Sequence, residues 1–315
     1  MTSPSRPAGL TRYAPAPTGY LHLGHVANAI FVWGLAGLTA RRVILRVEDH
    51  DRQRARAVYE QALLDDIDWL GFTPDVFSTA AFRAGPCDGR QSDRYAHYEA
   101  TARQLAEAGL LYGCTCSRQD LGAAPPDTAG ERCYPGTCRT RGVGLERDVA
   151  WRLRLDDGDE SFDDLLLGPE TQNPARQCGD VVIRDRLGNW TYQFVASVDD
   201  WLMGVDLVVR GRDLLPSTGR QIRIARLVGR TEPARFAHHG LIMKSAVQKL
   251  SKSDRDTGVR DLRTSGWTAA RVIGEAAFRV GLTEKVRDVR SEEVPSLLTV
   301  RGSGVLRFPE GPEMP

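Results

Sequence analysis

The chain has 315 residues, 42 Lys and Arg against 41 Asp and Glu, and a formal net charge of +1. That length holds a catalytic domain with an insertion and a small appendage but not three full domains, and the balanced charge excludes a global basic field, so any nucleic acid must bind through a local surface. No segment reaches the apolar length of a membrane span and Met1 to Gly9 lacks the apolar core of a secretory signal, so the chain is expected in the cytoplasm, away from membranes, with residues 1–9 disordered.

Taken in order, Leu10 to Tyr13 is a strand candidate, and Ala14-Pro15-Ala16-Pro17-Thr18-Gly19 forces a turn. From about His25, Val26, Ala29, Ile30 and Trp33 repeat at helical spacing. Arg42 to Glu48 is a second strand, and its run Val43-Ile44-Leu45 predicts burial on both faces. Tyr59, Leu63, Ile67 and Leu70 mark a helix face, and Tyr98, Ala102, Leu105 and Gly109 mark another. Strand, helix, strand, helix predicts an α/β fold with a parallel sheet, Rossmann-like, whose ligands sit at the carboxyl ends of the strands. This first half of the catalytic domain is expected over residues 10–113.

The segment 114–178 interrupts the pattern with Cys114, Cys116, Cys133 and Cys138, a Pro- and Gly-rich loop and acidic turns, and reads as an insertion. Four cysteines this close in a reducing compartment favour a metal over disulfides. The catalytic domain is expected to resume over 179–253, with strands at Asp180 to Arg184 and Val205 to Val209. Thr218-Gly219-Arg220-Gln221 has capping-box spacing before a helix with Ile222, Ala225 and Val228 inward. Residues 254–315 are expected to form a short helical appendage with one helix, Thr268 to Val280, and a frayed tail.

Two stretches carry phosphate chemistry. His22-Leu23-Gly24-His25 falls between the first strand and the first helix, where backbone N–H groups, the helix dipole and imidazole donors converge on one anion, and Gly24 admits a nucleotide close to the backbone. The second is Lys249-Leu250-Ser251-Lys252-Ser253. The chain has only four lysines, and three of them, Lys244, Lys249 and Lys252, fall within nine residues. A chain that otherwise writes its cations as arginine keeps here compact, mobile point charges. Together these stretches predict attack at the α-phosphate of ATP, with His22, His25 and Lys252 as catalytic groups and His22, Gly24, His25, Lys249, Ser251 and Lys252 holding the nucleotide with Mg2+.

The pair resembles the nucleotide-binding signature of class I aminoacyl-tRNA synthetases. More narrowly, Arg12 to Gly19, Arg46-Val47-Glu48-Asp49, Gln91 to Tyr95 and Val209 to Leu214 resemble the glutamyl branch. The resemblance implies a glutamate pocket of Arg12, Tyr13, Ala14, Pro15, Ala16, Glu48, Tyr192 and Arg210. Arg12 and Arg210 would grip the two carboxylates, Glu48 the ammonium, and Tyr192 would close the site with its hydroxyl. The family usually carries serine where Ala16 stands, so only a backbone contact carries over there.

The family's full-length glutamyl members carry a sizeable helical anticodon-binding region after the lysine loop, and no such domain is expected in the sixty or so residues that follow it here. This resembles the truncated glutamyl-Q branch, which activates L-glutamate with ATP without tRNA and transfers it to the queuosine base in the anticodon of tRNA(Asp). The resemblance also implies one structural Zn2+ held by Cys114, Cys116, Tyr134 and Cys138, with Cys133 competing for Tyr134's place. A monomer is expected. Two other readings remain: a short synthetase charging a tRNA 3' end, and a non-catalytic nucleotide or amino-acid binder.

Overall fold

The computed structural model describes residues 9–117, 119–120, 133–245, 248–249 and 258–298. Its elements are β1 (Leu10–Tyr13), α1 (Leu23–Leu38), β2 (Arg42–Leu45), α2 (Ala57–Leu70), α3 (Thr79–Ala84), α4 (Tyr95–Glu107), β3 (Leu111–Cys114), β4 (Ala150–Leu153), β5 (Glu160–Asp164), β6 (Gly168–Gln172), α5 (Pro174–Cys178), β7 (Val181–Arg184), α6 (Tyr192–Leu202), β8 (Leu207–Gly211), α7 (Thr218–Leu227), β9 (Arg235–His239), β10 (Met243–Ser245), β11 (Gln248–Lys249), α8 (Val259–Thr264) and α9 (Ala269–Arg279). Among the described residues no helix is long and apolar enough to cross a membrane.

The expected α/β architecture with a parallel sheet is present. β1 pairs with β2, and β8 with β9, all in parallel. β1 lies alongside β8, where Leu10 O accepts from Asp206 N at 3.0 Å, and β5 joins β9 in parallel with β6 antiparallel at the edge. α1 is apolar on most of its surface, as a helix buried on several sides must be. It covers the sheet with Val26, Ala29, Ile30, Phe31 and Val32 all buried. β2 is shorter than expected: Arg46 makes one more bond to the end of β1, and beyond it the chain takes other partners. Arg46 N donates to Tyr13 O, Val47 N to Gly89 O and Glu48 N to Pro15 O. The segment 46–48 thus runs extended between the first turn and residues 89–91.

The structure departs from the expected plan in three further places. The strand at Val181–Arg184 does not return to the parallel sheet; it pairs antiparallel with β4, which pairs antiparallel with β3. Conversely β5 and β6 lie within 114–178 yet join the sheet that carries β8 and β9, so strand pairing crosses the expected boundary at 178. α7 starts at Thr218, but the capping box does not form: Ser217 is its N-cap and makes no side-chain cap bond. The Thr218 hydroxyl is taken by Arg210 at 2.8 Å instead.

The third departure is the C-terminal segment. Among its described residues, 258–298, it holds two helices and a 3-10 turn at 291–297 rather than one helix. α9 has the expected extent and is capped by Thr268. Its buried Val272, Ile273, Ala276 and Ala277 join the same core as α1 and β1, so it closes the central core rather than forming an appendage. Gly274 lies so close to the following segment that a Cβ there would sit 1.7 Å from Arg287 O. The obstacle is backbone and cannot swing aside. Gly274→Ala should therefore destabilise the protein by about 2 kcal/mol or more, seen as a fall of several degrees in Tm; an unchanged Tm would contradict this packing.

Candidate active site

The carboxyl ends of β1, β8 and β9 open into a cavity of about 540 Å³. Its lining brings together Arg12, Tyr13, Ala14, Pro15, Ala16, Glu48, Tyr192 and Arg210 with His22, Gly24 and His25, although these residues span nearly two hundred positions of sequence. Of the predicted site residues, Ser251 and Lys252 lie outside the described residues. The backbone of Lys249 belongs to β11, which pairs with β10.

The two arginines that face the cavity have opposite surroundings. Arg12 donates from Nε to Asp200 Oδ1 at 3.1 Å and from Nη1 to Val209 O at 3.1 Å. The same Asp200 oxygen accepts from Arg46 Nη1 at 2.6 Å, and Arg46 Nη2 reaches Glu48 Oε1 at 2.9 Å. Arg46 is 0% exposed, so this is a buried network of two guanidiniums and two carboxylates whose charges cancel. Burial alone would raise the Asp200 carboxyl, but Arg12 and Arg46 outweigh it and hold the group below the usual carboxylate range. A direct ion pair between Arg12 and Glu48 is absent; Arg46 and Asp200 stand between them.

Arg210, 4% exposed, sits in a neutral cage. Its Nε donates to His238 Nε2 at 2.9 Å, Nη2 to Thr218 Oγ1 at 2.8 Å, and Nη1 to Gln221 Oε1. Asp164 Oδ2 lies 2.5 Å from His238 Nδ1, which places the proton on Nδ1 and leaves Nε2 to accept from the arginine. Burial lowers the His238 pKa, consistent with a neutral ring. Among the described residues no carboxylate pairs with Arg210, and burial depresses its pKa accordingly. Tyr192, at the first turn of α6, also lines this side, its phenol raised by burial first and the charge of Glu48 second.

The two histidines form the N-terminal cap of α1. His22 Nδ1 accepts from Gly24 N at 3.0 Å, and His22 N donates to His25 Nδ1 at 3.1 Å. With both Nδ1 atoms accepting, each neutral ring carries its proton on Nε2. The two rings lie with centroids 4.0 Å apart. Gly24 is required for this arrangement, since a Cβ would lie 2.8 Å from His22 Cε1.

Sequence reasoning missed several lining residues. His239, the last residue of β9, and Gly240 to Ile242 after it complete the wall. His239 stacks on Phe31 at 4.5 Å and meets Asn28 Oδ1 at 3.0 Å, and burial drives its pKa down to about 4. Their only signal was position, at the carboxyl end of a parallel strand. His50, Asp51 and Arg54, also in the lining, follow Glu48 on a loop. Asp200 and Arg46 had no signal of role, since each acts through another side chain.

The cysteine cluster lies apart, under β3. The sulfurs of Cys114, Cys116 and Cys138 lie within 4.8 Å of one another. Tyr134 Oη is 3.5 Å from Cys114 Sγ and 3.9 Å from Cys116 Sγ. Tetrahedral zinc with Zn–S of ~2.3 Å and Zn–O of ~2.0 Å would set sulfurs ~3.8 Å apart and an oxygen ~3.5 Å from each, so the donor set fits such an ion. Cys133 turns away, its Sγ 3.7 Å from Arg176 O. Tyr134 is the residue that joins the three thiols.

A family model described as tRNA synthetases class I (E and Q), catalytic domain, matches residues 10–296. A glutamyl-Q tRNA(Asp) synthetase of Symbiobacterium thermophilum is 38% identical over 296 residues, covering 90% of this chain and 90% of the relative. A glutamate–tRNA ligase 2 of Acidithiobacillus ferrooxidans is 39% identical over 271 residues, covering 82% of this chain and 55% of the relative. The solved glutamate-tRNA synthetase of Elizabethkingia anophelis superposes with a TM-score of 0.73 at 25% identity, over 91% of this chain. The chain spans 65% of that protein, just under two thirds of its length.

The Asp200 network generates a stability prediction. Asp200→Asn leaves two buried guanidiniums facing one carboxylate and should cost about 3–5 kcal/mol at pH 7. Because the folded pKa lies below the unfolded one, about 4, the carboxylate's contribution is present above that value and is lost as pH falls through the depressed pKa. The gap in stability between wild type and variant, measured by denaturant titration, should therefore narrow below about pH 4. A gap that stays constant into strong acid would contradict the assignment.

Proposed function

This chain belongs to the class I tRNA synthetases (E and Q), and from that premise we propose that it activates L-glutamate with ATP, without tRNA, and transfers it to queuosine in the anticodon of tRNA(Asp). The observation that carries the amino-acid assignment is Arg210, a buried cation with no carboxylate partner among the described residues, opening on the cavity that also holds Arg12. A buried guanidinium in a neutral cage is suited to a ligand carboxylate. Three of its five N–H groups are committed to the cage and the guanidinium also interacts with the Tyr192 hydroxyl, so the two side chains would hold a ligand carboxylate together. Arg12, with two committed, can take the second carboxylate. Glu48 offers the ammonium the oxygen that Arg46 does not hold, and Tyr192 adds a hydroxyl donor.

In adenylate formation an oxygen of the α-carboxylate bonds to the α-phosphorus while the bond to the pyrophosphate oxygen breaks. The Nε2–H groups of His22 and His25, with the N-terminus of α1, then donate to charge developing on the α-phosphate. Lys252 supplies a compact ammonium charge, and Mg2+ accompanies ATP. The acceptor assignment rests on the glutamyl-Q relatives, one of which aligns over 90% of this chain; the glutamate–tRNA ligase relative keeps charging of a tRNA 3' end as the second reading.

Pyrophosphate exchange with glutamate, with and without tRNA, decides between them. Exchange without tRNA and glutamate recovered on the anticodon are expected. Exchange only with tRNA and glutamate at the 3' end would overturn the acceptor reading, and no exchange at all would leave a binding module. Arg210→Ala should raise the glutamate KM by ~10²-fold or more, whereas Lys252→Ala should slow adenylate formation ~10²-fold with little change in glutamate binding.

The zinc proposal follows the same family. One Zn2+ held by Cys114, Cys116, Tyr134 and Cys138 would supply a closed structural crosslink beneath β3. Metal analysis should find about one zinc per chain. Cys116→Ser should reduce both zinc content and Tm, while Cys133→Ser should leave them unchanged; the opposite pattern would give the fourth position to Cys133.

A further inference from the structure

Of the two cavity imidazoles that the reaction above does not use, His239 is engaged at both nitrogens, by Gly240 O at 2.8 Å and Asn28 Oδ1 at 3.0 Å, whereas His50 is held at one, and its protonation pattern is the reverse of that of His22 and His25. Its Nδ1 lies 2.7 Å from Gln91 Oε1. The amide cannot be the donor there, because its Nε2 donates at 2.9 Å to Asp199 Oδ2. Asp199 is 0% exposed and also accepts from Arg94 Nε at 2.7 Å and Tyr98 Oη at 2.8 Å, so its carboxylate orients the amide strongly. The His50 proton therefore resides on Nδ1, and the neutral ring has its lone pair on Nε2. His50 lines the cavity whereas Gln91 does not; its ring lies 6.2 Å from that of Tyr192, another lining residue, and among the described residues its one side-chain hydrogen bond is at Nδ1. Tyr95 Oη holds the backbone, donating to His50 O at 3.3 Å.

The other bases that residues 48–54 contribute to the lining are engaged. Glu48 bonds Arg46 at 2.9 Å, and Asp51 bonds Arg54 at 2.7 Å. From this geometry we infer that His50 is the general base of the transfer step. This inference rests on the adenylate-forming reading. A hydroxyl of the acceptor adds to the carbonyl carbon of glutamyl-adenylate, forming the ester C–O bond. The bond from that carbon to the phosphate oxygen breaks and AMP departs with its electron pair. The hydroxyl proton passes to His50 Nε2, giving an imidazolium whose Nδ1–H remains on Gln91. Both readings of the acceptor present a hydroxyl, so the role does not depend on which is correct.

The test separates the two half-reactions in the full-length enzyme. Pyrophosphate exchange reports adenylate formation, and single-turnover transfer from preformed enzyme-bound adenylate to tRNA reports the second step. In His50→Ala the ratio of transfer to exchange rates should fall about 10²-fold, the usual size of a general-base contribution, and added imidazole should restore much of the transfer. Equal losses in both steps, transfer at the wild-type ratio, or no response to imidazole would each overturn the assignment. Failure of wild-type exchange would instead defeat the adenylate reading itself, so the two failures are distinguishable. Gln91→Leu, which leaves His50 in place but removes the acceptor that fixes its tautomer, should lower the transfer ratio with little response to imidazole; an unchanged ratio would also count against the proposal.

Discussion

Two adjacent acids on α6, Asp199 and Asp200, hold the site together from behind. Asp200 bonds Arg12 of β1 and Arg46 beyond β2, while Asp199 bonds Gln91, Arg94 and Tyr98 at the start of α4. Consecutive positions on a helix point about 100° apart, so one turn of α6 fastens both the parallel strands and the segment that closes over them. Buried charges are costly unless each is matched. Here the matching spans the chain from residue 12 to residue 200, and it fixes Arg12 directly, Glu48 through Arg46 and His50 through Gln91.

Against that neutralised network, Arg210 is deliberately uneven. Its cage of Thr218, Gln221 and His238 satisfies N–H groups without supplying negative charge, and Asp164 holds His238 in the tautomer that can accept from it. The same cage explains why the expected cap of α7 fails to form. Thr218 serves the arginine, and the helix loses a side-chain cap worth about 1 kcal/mol. The cavity thus pairs one compensated cation, which shapes the pocket, with one uncompensated cation, which needs an anion.

Three of the four cavity imidazoles divide by which nitrogen the protein occupies, the fourth, His239, being engaged at both. His22 and His25 are held through Nδ1 as acceptors and present Nε2–H donors; His50 is held through Nδ1 as a donor and presents a lone pair. Donors suit a phosphate that gains charge, and a lone pair suits a hydroxyl that must lose a proton. Histidine content alone cannot make this distinction, because the ring is the same and only the partner on Nδ1 differs.

The sequence by itself determined what depends on local order. The strand at Leu10–Tyr13, the helix after His22, the helix ending at Leu70 and the thirteen-residue neighbourhood of Thr268 to Val280 follow from spacing and capping, which act over a few residues. Motifs likewise exposed Arg12, Glu48 and Arg210, and the family resemblance added Tyr192, as a set that the cavity does assemble. What only the tertiary structure decided depends on partners far away in the chain. β7 reads like any buried strand but pairs with β4, because period-2 alternation carries no record of its neighbour. α9 reads as a tail helix but completes the core under α1. Tyr134 rather than Cys133 reaches the thiols, since adjacent residues point in different directions and only the fold says which. The roles of Asp200, Gln91 and His238 are invisible in sequence for the same reason: each works by orienting another side chain, and that relation exists only once the chain has closed on itself.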